Sequence, residues 1–359
     1  MRIFLIHDGL QELPDLPAEL PAAGYLWIGS ARREFEVRST EMQAALHRWG
    51  VGTIVDLHLS DLLNHQLPSH FDYTSWYDLM VFRRLAAPPG NGAMEEPVNV
   101  GLSNHAIAQV DTSPVGFAVF DRLLITVHPA DCQVREFFIE RLRQMTQASG
   151  ASSRMPAGPA DLMLRIVNHM VDGYLDLRRL LTRQLGQLQA ELLGPHGRRV
   201  NWQALLESRN ALHLLEDICE DQRSAVQEWL DAMQEWPAEA GAHAAREREL
   251  LRLRSRDVLE HIERVLSHVR RLESSAESAV QMHFSAVGQR TNDIMRTLTV
   301  LTAIFLPLNL ITGFFGMNFD FLPLIHSALG FWVAVVAMLA VGLGLAAFFW
   351  RKRYLGTRH

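Results

Sequence analysis

The sequence predicts an α+β domain followed by a helical stalk and two C-terminal transmembrane helices. Three observations predict it. Charged residues make up 21% of the 359 positions, yet between Arg296 and Arg351 the only formal charge is Asp320. That interval holds two uncharged runs, Thr297 to Phe315 (19 residues) and Ala328 to Trp350 (23 residues), and about 20 helical residues cross a hydrocarbon core. From His243 to Phe315 the one Pro is Pro307, and the one Gly before it is Gly288. A nearly unbroken helix of roughly 110 Å follows at 1.5 Å per residue.

Residues 1–150 read as the mixed α/β domain. Strands are expected at Arg2–Ile6, Tyr25–Ile28, Leu79–Leu85, Val115–Phe120 and Leu123–Val127, the last two as a hairpin across Asp121-Arg122. Helices are expected at Thr40–Trp49, Leu57–His65 and Cys132–Thr146. Pro- and Gly-bearing stretches at 86–97 and 149–159 read as loops. A helical hairpin then covers 160–242, as one helix from Asp161 to Leu193 and a return helix from Asn201 to Trp236, with Gly194-Pro195-His196-Gly197 between them.

The stalk part of the long helix is placed at 243–296, the first span at 297–318, an external loop at 319–327, the second span at 328–350 and a basic tail at 351–359. Along the stalk Leu250, Leu253, Val258, Ile262, Val265, Leu266, Val269 and Leu272 alternate with charges of both signs, the pattern of a helix packed on one face. Such a stalk is expected to associate symmetrically.

Composition narrows the function. The net charge is −6, 34 basic residues being balanced by 40 acids, and no basic tract occurs before the spans, so no nucleic-acid partner is expected. Cys132 and Cys219 are the only cysteines, which fits a reducing cytoplasm rather than a disulfide scaffold. The 16 histidines include His58, His65 and His70, whose spacing makes no zinc cluster. No phosphate-binding Gly loop or nucleophile elbow is present, so no enzyme is signalled. The acidic, briefly apolar N-terminus does not resemble a cleaved signal. Arg290 and Arg296 precede the first span, Arg351, Lys352, Arg353 and Arg358 follow the second, and the intervening loop has no Lys or Arg. The positive-inside rule then puts both termini in the cytoplasm.

Within the first span Asn292, Met295, Thr299, Thr302, Leu306, Asn309 and Gly313 step by three and four, so they share one helix face. Thr, Asn and Gly at such positions glue helices together or, in a symmetric assembly, line a pore. A wall of amide and hydroxyl oxygens without fixed charge suits a cation that keeps its water, as Mg²⁺ does.

The segments Arg290-Thr291-Asn292-Asp293-Ile294-Met295, Ile304-Phe305-Leu306-Pro307-Leu308 and Thr312-Gly313-Phe314-Phe315-Gly316-Met317-Asn318-Phe319 resemble the CorA family of divalent-cation channels, whose signature Gly-Met-Asn ends the first of two spans. The resemblance covers Asp161 to Leu355 in architecture and is fainter in the first 150 positions. It implies a homopentameric funnel in the bilayer of a bacterial inner (plasma) membrane, multi-pass, with both termini cytoplasmic.

It further implies a selectivity filter of Gly316, Met317 and Asn318 and a pore lined by Asn292, Met295, Leu298, Thr302, Leu306, Asn309 and Gly313, with Leu298 in place of Thr299. Regulatory Mg²⁺ would bind Asp61, in Leu59-Ser60-Asp61-Leu62-Leu63-Asn64, and Asp257, in Arg256-Asp257-Val258. The expected cargo is Mg²⁺, with Co²⁺ and Ni²⁺ as further candidates. The zinc-transporting ZntB branch is the alternative, although Met317 favours the magnesium branch. A membrane-tethered sensor or scaffold is the alternative of another class. Asn309 stands where Thr is frequent in the family, Gln281 where an acid sits, Phe315 where Tyr is usual, and Leu324 where a second loop acid follows the Pro.

Overall fold

The computed structural model describes residues 1–85, 110–130, 133–147, 155–193, 202–236, 241–317 and 328–352. They fall into two compact units, Met1–Glu277 and Ser278–His359.

The first unit is organised by a seven-stranded sheet. Its strands are β1 (Arg2–Ile6), β2 (Leu10–Leu13), β3 (Tyr25–Ala31), β4 (His70–Tyr73), β5 (Asp78–Arg83), β6 (Pro114–Phe120) and β7 (Leu123–His128), in the order β2-β1-β3-β7-β6-β5-β4. β3 and β7 pair parallel and every other neighbouring pair is antiparallel. The sheet is α+β in character, as expected.

Side-chain alternation along the strands divides the core in two. Phe4, Ile6, Tyr25, Trp27, Met80, Phe82, Val115, Phe117, Val119 and Leu124 face one layer. Ile3, Leu26, Ile28, Leu79, Ala118, Phe120, Leu123, Ile125 and Val127 face the other. The second layer is closed by α1 (Arg32–Val37), α2 (Ser39–Trp49) and α3 (Asp56–Leu63), through Phe35, Met42, Leu46 and Leu62. The first layer is closed by α4 (Gln133–Gln147), α5 (Pro159–Asp172), α6 (Tyr174–Leu193), α7 (Trp202–Glu235) and the N-terminal part of α8 (Ala242–Phe315).

Polar bonds fix the registers. The Gln222 amide donates to the Arg83 carbonyl at 2.7 Å, tying α7 to β5, and the Trp229 indole donates to Ser255 Oγ at 3.0 Å, tying α7 to α8.

Several expectations are met within a residue or two: β1, β6, β7, α2, α3, α4 and α7 lie where the periodicity placed them, and Asp121-Arg122 turns the β6–β7 hairpin; β3 begins at Tyr25 as expected but runs three residues beyond Ile28, to Ala31. β5 begins at Asp78 and ends at Arg83 rather than running to Leu85. The single helix expected over Asp161–Leu193 is divided at Gly173, which separates α5 from α6. The short elements β2, β4 and α1 were not expected. The stretch 86–97, the Gly194-Pro195-His196-Gly197 stop and Cys132 lie outside the described residues.

The second unit contains the C-terminal part of α8 and α9 (Ala328–Arg351). Both helices are long and apolar enough to cross a membrane. α8 runs 74 residues, with Pro307 inside it. Proline has no N–H to give to the carbonyl four residues earlier, here that of Ala303.

Candidate functional site

The stripe is built by helical geometry alone. At about 100° per residue, Asn292, Met295, Leu298, Thr299, Thr302, Leu306, Asn309 and Gly313 lie roughly 80–200° round the helix from Leu308. Leu308 faces α9, because a Cβ placed on Gly342 of α9 would lie 3.7 Å from its Cδ1. Val300 is buried, and Ile304, Pro307, Leu308, Ile311 and Phe315 are half-buried on that side. The stripe residues are exposed in the single protomer, Met295 at 57%, Leu298 at 56% and Leu306 at 67%. α9 therefore leaves this face uncovered. Leu298 and Thr299 are both exposed, so a single protomer does not choose between them.

The hydroxyls on this part of α8 are oriented. Thr299 Oγ1 donates to the Met295 carbonyl at 2.8 Å and Thr302 Oγ1 to the Leu298 carbonyl at 2.9 Å. Each hydroxyl proton is thus committed to the backbone, and what remains outward is acceptor lone pairs. A hydrated cation presents water O–H groups, which are donors. The stripe is chemically matched to that shell, while Met295, Leu298 and Leu306 add apolar positions.

At the end of α8 the Gly316 N–H reaches the Thr312 carbonyl at 2.9 Å and the Met317 N–H reaches the Phe314 carbonyl at 3.4 Å. The helix stops there. Gly316 and Met317 are exposed. Asn318, Asp320 and Leu324 lie outside the described residues.

Asp61 and Asp257 are held apart. Asp61 is on α3, whose Leu62 belongs to the second core layer. Asp257 is on α8, where the next residue, Val258, belongs to the first layer. The sheet lies between them, so within one protomer the two carboxylates do not share an ion.

Around Asp61, His70 Nε2 lies 3.9 Å from Oδ2. Nearby His58 is buried between the Tyr77 hydroxyl at 2.8 Å and Asp72 Oδ2 at 3.0 Å, so it reads as a structural histidine. Burial opposes the Asp72 charge, but the bonds from His58 and the Tyr73 N–H hold its carboxyl below the usual range.

Asp257 is 60% exposed, with His261 Nε2 at 3.9 Å. The other nitrogen of His261 lies 3.5 Å from Asp172. A cavity of about 370 Å³ beside them is lined by Asp257, Asp172, His169, Arg141, Arg165 and Arg254, among others. Burial lowers the His169 imidazole and the Arg254 guanidinium from their ordinary values, the latter against the pull of Asp161. Two of the arginines of this cavity, Arg165 and Arg254, pair with Asp161, while Asp172 and Asp257 are linked through the two ring nitrogens of His261.

Sequence reasoning missed a group on α7 and α8: His213, Glu216 and Glu273 place one ligand atom each within 4.8 Å of one another. The His213–Glu216 spacing was the available signal; Glu273 joins it only through helix pairing.

Comparison with known proteins agrees with this architecture. The family described as CorA-like Mg²⁺ transporter protein matches residues 54–353. The cobalt/magnesium transport protein CorA of Thermotoga maritima is 29% identical over 100 residues, 28% of each chain. The magnesium transport protein CorA of Haemophilus influenzae is 32% identical over 101 residues, 28% of this chain and 32% of that one. These alignments thus span about a third or less of the relatives' length. The complete structure of the CorA magnesium transporter from Methanocaldococcus jannaschii superposes with a TM-score of 0.72 at 19% identity, over 98% of this chain and 97% of that one. The full-length CmaX protein superposes with a TM-score of 0.60 at 19% identity, over the same shares. At these identities the superpositions speak for the fold. A family match extending over most of the sequence, joined to a full-length fold match, places this chain in the CorA-like Mg²⁺ transporter family.

Proposed function

We propose that the chain is one subunit of a homopentameric channel that passes divalent cations across a membrane, Mg²⁺ foremost and Co²⁺ or Ni²⁺ in addition, without catalysing a reaction. The observation that carries the proposal is the stripe on α8. A row of committed threonine hydroxyls, Asn292, Asn309 and Gly313 is turned away from α9, in a helix apolar enough to span. Left against lipid, the Asn309 amide would cost several kcal/mol; around a symmetry axis it faces water and the ion.

In this reading the wall accepts hydrogen bonds from the hydrated ion, and Met295 and Leu298 form its apolar constriction. Gly316, Met317 and Asn318 form the outer ring. The side-chain carbonyl oxygen of Asn318 would meet the ion's water, since Mg²⁺ dehydrates reluctantly. The ion gradient and an inside-negative potential drive entry, the potential contributing about 4.6 kcal/mol for two charges at 100 mV. Both termini are cytoplasmic in this reading, which the basic residues flanking the two spans support.

The separation of Asp61 and Asp257 by the sheet supports a regulatory role for these acids between subunits rather than within one. An ion shared by these acids would have to bridge neighbouring protomers. Cytoplasmic Mg²⁺ would then hold the subunits together and the pore closed.

The test is ion flux into liposomes containing the purified protein, compared for Mg²⁺, Co²⁺ and Zn²⁺. Uptake of Mg²⁺ above protein-free vesicles supports the reading. Selective Zn²⁺ flux moves the chain to the zinc-transporting alternative, and no flux of any ion favours a membrane-tethered scaffold.

A further inference from the structure

Helices α7 and α8 run antiparallel, joined by a ladder of ionic rungs. Arg209 pairs with Glu277 at 3.3 Å, His213 Nε2 with Glu273 Oε1 at 3.2 Å, and Arg270 Nε with Glu216 Oε1 at 2.6 Å. The guanidinium of Arg270 also reaches Glu220. Two of these rungs use arginine, which can only donate hydrogen bonds. The middle rung uses histidine, whose ring nitrogen can offer a lone pair to a metal.

We propose that His213, Glu216 and Glu273 bind one divalent transition-metal ion of the Zn²⁺, Co²⁺ or Ni²⁺ class, distinct from the pore and from Asp61 and Asp257. Three features carry it. First, the donors are already gathered, with one ligand atom of each within 4.8 Å of the other two. Metal–ligand bonds of about 2.0–2.2 Å in a tetrahedral site put ligand atoms roughly 3.3–3.6 Å apart. The His213–Glu273 separation is close to that, and rotation of the Glu216 side chain brings in the third.

Second, the frame is fixed. His213 and Glu216 are three residues apart and share a face of α7, and Glu273 is presented by α8 between Leu272 and the buried Ala276, which pack in the first core layer. Glu273 is 17% exposed, whereas His213 is 46% exposed, which leaves an entry route and a position for water.

Third, the donor set selects the ion. One imidazole with two carboxylates suits zinc, cobalt or nickel, whereas Mg²⁺ takes oxygen ligands and keeps its waters. Arg270 occupies Glu216 Oε1, so the second oxygen of that carboxylate is the one available to the metal. The guanidinium also lowers the negative charge of the site, which favours an ion bound through directed bonds over one held by charge alone. Bound there, the ion would clamp α7 to α8 in the first unit.

The experiment uses the purified full-length chain in detergent, titrated with Co²⁺ and followed by its visible d–d absorption, and with Zn²⁺ followed by calorimetry. The parent is expected to bind one Co²⁺ with His/carboxylate-type absorption that millimolar Mg²⁺ does not displace. His213→Ala and Glu273→Gln are each expected to lose that ion, or to bind it at least tenfold more weakly, while keeping the parent's helical circular dichroism. The second variant preserves side-chain size, so it separates loss of a ligand from loss of packing. Parent-like stoichiometry and affinity in both variants would overturn the assignment, as would displacement of Co²⁺ by Mg²⁺.

Discussion

Gly342 of α9 faces Leu308 of α8 with room for an ordinary methyl contact, a Cβ there lying 3.7 and 3.8 Å from the two leucine methyls. This contact decides which face of α8 is left uncovered by α9. Small residues let spanning helices approach closely, and here the approach uses a side roughly 100° or more round the helix from Asn309 and Gly313. Gly342→Ala should therefore be tolerated, whereas Gly342→Phe should push α9 off Leu308 and lower the melting temperature of the detergent-solubilised protein. Equal melting of the two variants would contradict this packing.

Asn318→Ala should abolish most Mg²⁺ flux while leaving the oligomer intact, because a methyl cannot accept a hydrogen bond from the hydrated ion. Losing one charge-assisted hydrogen bond costs about 1.5–3 kcal/mol, or roughly ten- to a hundredfold in binding. Liposome flux together with size-exclusion chromatography checks it, and parental flux would remove Asn318 from the outer ring.

Replacing the acceptors of the wall tests the pore separately from the ring. Thr302→Val with Asn309→Leu keeps the helix and its apolar contacts but withdraws the oxygens. Flux should fall at least about tenfold, the equivalent of a single lost hydrogen bond near 1.4 kcal/mol. A scaffold has no use for those oxygens and would keep its partner binding unchanged. Unaltered ion flux in the double variant would assign the stripe to helix packing.

Legibility followed burial. β3, β6 and β7 are buried almost throughout, so runs of large apolar residues identified β6, β7 and the Tyr25–Ile28 half of β3, while its small Gly29-Ser30-Ala31 end carried no such signal. β2 (Leu-Gln-Glu-Leu) and β4 (His-Phe-Asp-Tyr) are the outer strands of the sheet and half polar, so alternation over four residues was too short to find them. α1 has six residues and no side-chain cap, leaving it without a start signal. The break at Gly173 is equally quiet, since its φ of −56° and ψ of −20° are helical. The stripe was readable because one helix carries all of it. The His213–Glu216–Glu273 group was not, because its third ligand depends on the register between α7 and α8, and the opposite placement of Asp61 and Asp257 depends on the topology of the sheet.

Asp78 gives the first unit a pH dependence. Burial, with Asp121 nearby, pushes its carboxyl up to about 7. The folded state therefore holds a proton that the unfolded chain releases near its ordinary value, so stability from this group is full in acid and declines as pH rises through about 7. A rise of that size would be near 4 kcal/mol if the group were wholly shielded; allowing for partial exposure, about 2 kcal/mol is expected. Asp78→Asn should stabilise the fold at pH 8 and give no gain at pH 4. Urea unfolding followed through the fluorescence of the buried Trp27 and Trp229 would show it, and a gain independent of pH would contradict the assignment.

The regulatory proposal rests on the opposite placement of Asp61 and Asp257 about the sheet. If Mg²⁺ bridges them between protomers, high Mg²⁺ neutralises their repulsion and favours the closed, symmetric arrangement; when Mg²⁺ falls, the uncompensated acids drive subunits apart. Closure is then an equilibrium biased by differential affinity, worth at most a few kcal/mol. Neutralising the acids should blunt regulation without stopping conduction. Asp61→Asn with Asp257→Asn is expected to conduct, yet to lose the protection that Mg²⁺ gives against limited proteolysis of the first unit. Each acid also has a histidine within 3.9 Å, so the single variants at His70 and His261 serve as controls and should retain protection. If Mg²⁺ protects the double variant as well as the parent, the two acids are solvated surface groups and the sensor lies elsewhere.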